Sequence, residues 1–285
     1  MEKSTEKELQ INALKIRLGM IRAFSANGGG HIGGSFDLAE VMAVIYSDFI
    51  NVKPEEPDWE DRDYMIFSKG HAGPALYATL AWKGFFDIVR LDNLNNVNSM
   101  LPGHCDRNKV PGVDATTGSL GQGLSIACGV ALAAKAKKSG QKVYCVIGDG
   151  EAAEGQIWEA AQSAAHFKLD NLIAILDWNK MQIDGTNDEV MSIGNPVDKF
   201  NSFGWHTFRA RGNDVLEIQR ALSSAVENAD GRPSMIVLDT IKGQGAQCIM
   251  DMENNHCIGF SPELRCKTLR EMEKIGKELG MEVDF

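Results

Sequence analysis

The chain has 285 residues, with 29 basic against 39 acidic side chains and a formal net charge of −10. Its lysines and arginines form no cluster, which argues against nucleic acid or an anionic membrane surface as the main partner. Its apolar runs are too short and too interrupted to span a bilayer. The six cysteines include no C-x-x-C pair, and Cys128 and Cys145 fall in apolar stretches, as buried free thiols do. The first residues, MEKSTEKELQ, carry charge and no apolar h-region, so a reduced cytoplasmic setting is expected.

Residues 6 to 26 place Leu9, Leu14, Leu18 and Ile21 at helical spacing, and the pattern stops at Asn27-Gly28-Gly29-Gly30. A second helix is expected over residues 37 to 49, with Asp37 or Ser35 as its N-cap. A Pro- and acid-rich loop (53 to 63) leads to a short strand over 64 to 68, which runs into Lys69-Gly70-His71. A small-residue helix follows over about 74 to 83; residues 93 to 119 read as irregular. Residues 120 to 137 form a long Ala/Gly-rich helix of the kind that packs closely on a sheet.

The strongest pattern comes next. VYCVIGDG (143 to 150) and LIAILDWN (172 to 179) are apolar runs of strand length that stop on polar residues. Between them, residues 154 to 168 carry Ile157, Ala160, Ala161, Ala164 and Phe167 at helical spacing. This βαβ unit puts Asp149 and Asn179 at the carboxyl ends of neighbouring parallel strands, where open α/β sheets bind ligands. A carboxylate and an amide carbonyl are hard oxygen donors, suited to Mg²⁺ or Ca²⁺ and poorly to zinc. The glycines flanking Asp149 admit something bulky and anionic. The pair therefore predicts a divalent ion bridging the protein to a diphosphate. Beyond it, a strand over 205 to 210, a helix over 215 to 228 and a strand over 235 to 240 lead into the glycine loop Ile241-Lys242-Gly243-Gln244-Gly245. With no linker-like stretch, the expectation is one α/β domain over 1–285, a mostly parallel sheet flanked by helices.

Three histidines sit beside glycine: His31 in GGGHIGG, His71 in SKGHAG and His104 in LPGHC. Such loops expose imidazoles that donate to phosphate or move protons near neutral pH. The segment Thr116–Gly123, TTGSLGQG, opens the long helix; it reads equally as an anion site at a helix start or as an ordinary cap. Gly28-x-Gly30-x-x-Gly33 fits the dinucleotide pattern but follows a helix, so that meaning is rejected. No histidine pair has zinc-binding helical spacing, and no Walker A motif occurs.

Taken together, these residues resemble the thiamine-diphosphate enzymes, and within them transketolase. The stretch from Gly148-Asp149-Gly150 to Asn179 resembles the cofactor motif of the superfamily, and the three GH loops with TTGSLGQG point to transketolase. The likeness covers nearly the whole chain but only the amino-terminal half of a full transketolase. It is close to two-gene transketolases, whose diphosphate-binding (PP-type) and pyrimidine-binding domains are separate polypeptides. The resemblance implies that Asp149, Asn179 and the Met181 backbone carbonyl hold Mg²⁺ (or Ca²⁺). It implies cofactor contacts from Gly150, His71, Gly118, Ser119, Leu120 and Lys242, and substrate contacts with proton transfer at His31 and His104. Glu154 resembles a glutamate that joins two diphosphate domains and links distant active sites.

Two positions depart from the family pattern. Ile258, rather than histidine, precedes the glycine near the end of the domain, so His256 is the expected replacement in substrate binding; and Ile32 follows His31 where proline is frequent. The implied reaction is transfer of a two-carbon ketol unit from a ketose to an aldose phosphate. The implied assembly is α₂β₂ with a C-terminal, pyrimidine-binding subunit that brings the glutamate needed to activate the cofactor, so the single chain is expected to be inactive. A sulfo-sugar or branched pentose phosphate stays open as donor. The competing readings are the α subunit of a 2-oxo acid dehydrogenase, which would not carry this set of GH loops, and a deoxyxylulose-phosphate synthase-like protein.

Overall fold

The computed structural model describes residues 3–283. In chain order its main elements are helices α1 (Glu6–Asn27) and α2 (Ala39–Asp48), strand β1 (Tyr64–Phe67), and helices α3 (Gly73–Lys83) and α4 (Gln122–Lys137). They continue with β2 (Val143–Gly148), α5 (Gly155–His166), β3 (Leu172–Trp178), β4 (His206–Arg211), α6 (Val215–Glu227), β5 (Ser234–Asp239) and α7 (Pro262–Leu279). The strands form one parallel sheet in the order β1-β2-β3-β5-β4. Residues 93 to 119 hold no long element, in keeping with their turn-rich composition.

The inner strands are continuous apolar runs because helices cover both of their faces. On one face, Tyr144, Val146, Ile173, Ile175, Ile236 and Leu238 pack with the buried sides of α1, α2, α3 and α6. On the other, Val143, Cys145, Ile147, Ala174, Leu176 and Val237 pack with α4, α5, Phe200 and Trp205. Parallel pairing sends every carboxyl end to one edge. Gly148 stands opposite Asp177 and Trp178 opposite Asp239, so the loops after β2, β3 and β5 emerge side by side. The βαβ expectation for residues 143 to 179 is met, and with it the α/β class.

Three features differ from the sequence expectations. First, α2 begins at Ala39 with Leu38 at the N-cap and no side-chain cap bond; Asp37 and Ser35 point elsewhere. Second, Gly29–Gly30 pairs antiparallel with Ile258–Gly259, a two-residue ladder that lays the C-terminal segment against the His31 loop. The close approach needs glycine: at Gly29, with φ +147°, a Cβ would stand 2.3 Å from the Ile258 carbonyl oxygen. Third, α7 has no counterpart in the sequence reading. Ser261 caps it through Leu264 N at 3.2 Å, Pro262 opens it, and its buried Met272 packs into the α1 side of the core. Among the described residues no helix is long and apolar enough to cross a membrane.

Leu176, wholly buried in β3 just before the site, tests how far the edge depends on this packing. Leu176→Ala should lower the unfolding free energy by about 2–5 kcal/mol, the usual range for a core cavity. Urea titration showing a loss below about 1 kcal/mol would mean that β3 is not held as described.

Candidate active site at the carboxyl edge of the sheet

The loops after β1, β2, β3 and β5 close around a cleft of about 330 Å³. Asp149 and Asn179 reach it from adjacent strand ends, and both are buried. The Asp149 carboxylate is held on both oxygens. Gly150 N donates to Oδ1 at 2.8 Å, while Lys180 N and Asn187 Nδ2 (2.9 Å) donate to Oδ2. Asn179 is held as firmly. Its Nδ2 donates to Asp37 Oδ2 at 2.9 Å and to Asp177 Oδ2 at 3.2 Å, and its Oδ1 accepts from Met181 N at 3.0 Å. Among the described residues no donor reaches the Met181 carbonyl.

This donor set fits a hard divalent ion. Among the described residues no group of three His, Cys, Asp or Glu is placed to hold a metal by itself, so an ion here must use amide, backbone and ligand oxygens. Burial, aided by the neighbouring Asp177 carboxylate, pushes Asp149 up to about 6. A carboxylate left in that position gains most from a cation brought beside it. Lys242 lines the same cleft, is buried, and its ammonium has no ion-pair partner among the described residues. Burial and then the nearby Lys69 lower its proton affinity. A buried cation with no carboxylate of its own is suited to a phosphoryl oxygen.

Four imidazoles cluster in the same cleft. His31 stands 5.2 Å from His71, 5.7 Å from His104 and 5.2 Å from His256 between ring centroids, and His71 stands 5.0 Å from His256. His256 is thus in the cluster. Asn255 puts it there, donating from Nδ2 to Lys242 O at 2.8 Å while its own carbonyl accepts from Gly33 N at 3.0 Å. Burial holds His31 and His71 below the usual histidine range and His256 down to about 3, with Lys242 adding to the effect on His256. These three rings are therefore neutral at pH 7, each with one donor and one acceptor nitrogen. His256 Nδ1 is buried with no partner among the described residues.

Of the remaining residues singled out by sequence, Gly118, Leu120 and Gly150 line the cleft. Ser119 is exposed and outside the lining, as is Glu154, which stands before α5 without a cap bond from its side chain. The TTGSLGQG segment approaches the site through tight backbone contact: a Cβ on Gly70 would stand 2.7 Å from Gly118 N. At the start of α4, Gly121 N is bound by the protein's own Glu151 carboxylate, at 2.8 Å from Oε1.

Several residues that build the cleft escaped the sequence reading. Lys69 is buried and pairs with Asp177, which also accepts from Thr240 Oγ1. Glu151 ties the end of β2 to the loop before α4 by accepting from Ser68 Oγ, Gly121 N and Gly148 N. Asp37 lies wholly buried beneath Asn179, and burial together with Asp177 raises its proton affinity strongly. Lys69 and Asp177 flank motif residues directly, so proximity to Gly70-His71 and Asn179 was an available signal; Asp37 and Asn187 had none.

Residues 7–282 match the transketolase thiamine diphosphate binding domain, and the chain belongs to that family. It is 45% identical over 269 residues to the 6-deoxy-6-sulfo-D-fructose transketolase subunit SqwG of Clostridium sp. (strain MSTE9), covering 94% of this chain and 98% of that protein. It is 36% identical over 274 residues to an apulose-4-phosphate transketolase subunit from Phocaeicola vulgatus, covering 95% and 97%. The solved transketolase of Campylobacter jejuni superposes with a TM-score of 0.86 at 29% identity, over 98% of this chain and 44% of that one. The transketolase of Leishmania mexicana does so at 0.85 and 28%, over 99% and 42%. The chain therefore spans less than half the length of these solved transketolases. These relatives favour transketolase over the 2-oxo acid dehydrogenase and deoxyxylulose-phosphate synthase readings.

The neutral His71 ring has a measurable consequence. His71 refuses a proton when folded but takes one at about pH 6.5 when unfolded, so its contribution to stability is lost as pH falls. The unfolding free energy of the wild type minus that of His71→Asn should be flat above pH 7. Below about pH 6.5 it should fall by up to about 1.4 kcal/mol per pH unit. Parallel curves from pH 8 to 5 would show that His71 titrates normally in the fold.

Proposed function

We propose that this chain is the thiamine-diphosphate-binding subunit of a two-chain transketolase, folded as one diphosphate-binding domain and working in the cytoplasm. Its partner is a pyrimidine-binding C-terminal subunit, in an α₂β₂ assembly. The observation that carries this reading is the pairing of Asp149 and Asn179 oxygens at adjacent strand ends with an unpaired Lys242 and a cluster of imidazoles in one cleft.

In this reading Asp149, Asn179 and the Met181 carbonyl hold Mg²⁺. Lys242, His71, Gly150, Gly118 and Leu120 take the diphosphate, with Ser119 outside the contact. Thiamine diphosphate, when bound, supplies the chemistry that breaks the carbon–carbon bond beside a ketose carbonyl and carries a two-carbon unit to an aldose. His31, His104 and His256 orient sugar hydroxyls; the neutral rings of His31 and His256 each offer one donor and one acceptor nitrogen, so each can pass a proton without first losing one. In the same reading Glu154, which is exposed, meets a second copy of the chain.

The substrate class follows from what the cleft lacks. Its lining holds Lys69 and Lys242 but no other lysine or arginine. Lys69 is committed to Asp177 and Lys242 is assigned to the diphosphate. The anionic end of the sugar therefore relies on the partner. Likeness to SqwG makes 6-deoxy-6-sulfo-D-fructose the leading donor, with apulose 4-phosphate and xylulose 5-phosphate as comparisons.

Two outcomes are expected. The purified chain should transfer no ketol unit alone, and should do so when mixed with its partner, Mg²⁺ and thiamine diphosphate; full activity from the single chain would contradict the assembly. Asp149→Ala should weaken Mg²⁺-dependent cofactor binding, read by calorimetry on the assembly, by more than the roughly 10–100-fold typical of losing a mere supporting group. An unchanged affinity would remove Asp149 from the metal site.

A further inference from the structure

Asp37 precedes α2, where its sequence position resembles an N-cap, yet its side chain does nothing for that helix. It turns instead into the base of the cleft, wholly buried. Oδ1 accepts from Gly243 N at 2.7 Å and Gln244 N at 3.3 Å, and Oδ2 accepts from Asn179 Nδ2 at 2.9 Å. One carboxyl group thus joins the loop that carries His31, the loop that carries Lys242 and the strand end that carries Asn179. Burying a carboxylate is costly unless its oxygens are satisfied, and here every bond that satisfies it comes from a loop of the cleft.

The contact with Asn179 has a chemical meaning. A carboxamide turned by 180° keeps its shape and exchanges its oxygen for its amino group, so only its partners decide which atom faces outward. Asp37 and Asp177 offer acceptor oxygens to Nδ2, and Met181 N offers a donor to Oδ1. All three partners favour the orientation in which the oxygen, the atom able to bind a hard cation, is turned away from Asp37.

We propose that Asp37 is a positioning residue for the metal–diphosphate site, fixing the Asn179 amide with Oδ1 toward the ion and tying the Lys242 loop to the same anchor. This rests on the reading of Asn179 as a metal ligand. Asp37→Asn keeps the shape and retains an acceptor for Gly243 N and Gln244 N, but turns an amino group toward Asn179 Nδ2. The variant removes one of the three contacts that orient the Asn179 amide and sets two amino groups against each other, so Oδ1 is held less firmly toward the ion, with only Asp177 and Met181 N left to favour it.

The test measures the half-saturating Mg²⁺ concentration for thiamine diphosphate binding to the full assembly, by calorimetry, alongside the melting temperature without metal. Asp37→Asn should raise that concentration about 10–100-fold, the effect expected of a group supporting a ligand, while the metal-free melting temperature stays close to wild type. A purely structural role would lower the melting temperature and leave the half-saturating Mg²⁺ concentration of the folded protein unchanged. Wild-type Mg²⁺ dependence in Asp37→Asn overturns the proposal. If Asp37→Asn does not fold, a crystal structure of the wild type with Mg²⁺ and thiamine diphosphate decides it: Asn179 Nδ2 on Asp37 supports the assignment, and an amide turned away from Asp37 overturns it. Cofactor binding by the wild type that ignores Mg²⁺ would instead remove the metal reading itself.

Discussion

The pairing of Lys69 with Asp177 at the end of β3 is the constraint on which the rest of the site depends. Both side chains are nearly inaccessible to water. Removing one partner of such a pair strands the other charge and typically costs about 3–5 kcal/mol. Asp177 also accepts from Thr240 and Asn179, and Lys69 donates to the Gly34 carbonyl at 2.9 Å. One ion pair therefore joins the ends of β1, β3 and β5 to the loop after α1. Asn179 stands on this base directly, while Asp149 is held by Gly150, Lys180 and Asn187 of the adjoining loops.

The cleft brings together two chemically distinct sets of groups. Fixed carboxylates, amides and ammonium groups suit an ion and a diphosphate. Imidazoles, with burial holding His31, His71 and His256 below the usual histidine range, suit hydroxyls and proton movement. Among the described residues Lys69 and Lys242 are the only lysine or arginine side chains lining the cleft, and in the proposed assembly neither is left over for the charged end of a sugar.

Much of the sheet was readable because its inner strands are covered on both faces, which writes them as unbroken apolar runs with abrupt polar ends. Asp149 and Asn179 stood out because they occupy those ends. The His256 position was harder. What brings it to His31 is a two-residue glycine ladder, Gly29–Gly30 with Ile258–Gly259, too short to leave a strand pattern. Asp37 was misread as a cap because an acidic residue before a helix has the same local signature whether it turns toward the helix or away from it. Its true partners, Asn179 and Gly243, are more than a hundred residues away. Helix α7 carried a usable Ser261-Pro262 start, and its partly polar inner face hid the rest.

Diffraction from crystals grown with thiamine diphosphate and Mn²⁺ in place of Mg²⁺ tests the central claim most directly, because manganese marks its own position by anomalous scattering. The account predicts one strong peak in oxygen-ligand contact with the Asp149 carboxylate, Asn179 Oδ1 and the Met181 carbonyl. A bound cofactor whose ion lies elsewhere, with Asp149 and Asn179 left to their protein partners, would contradict it.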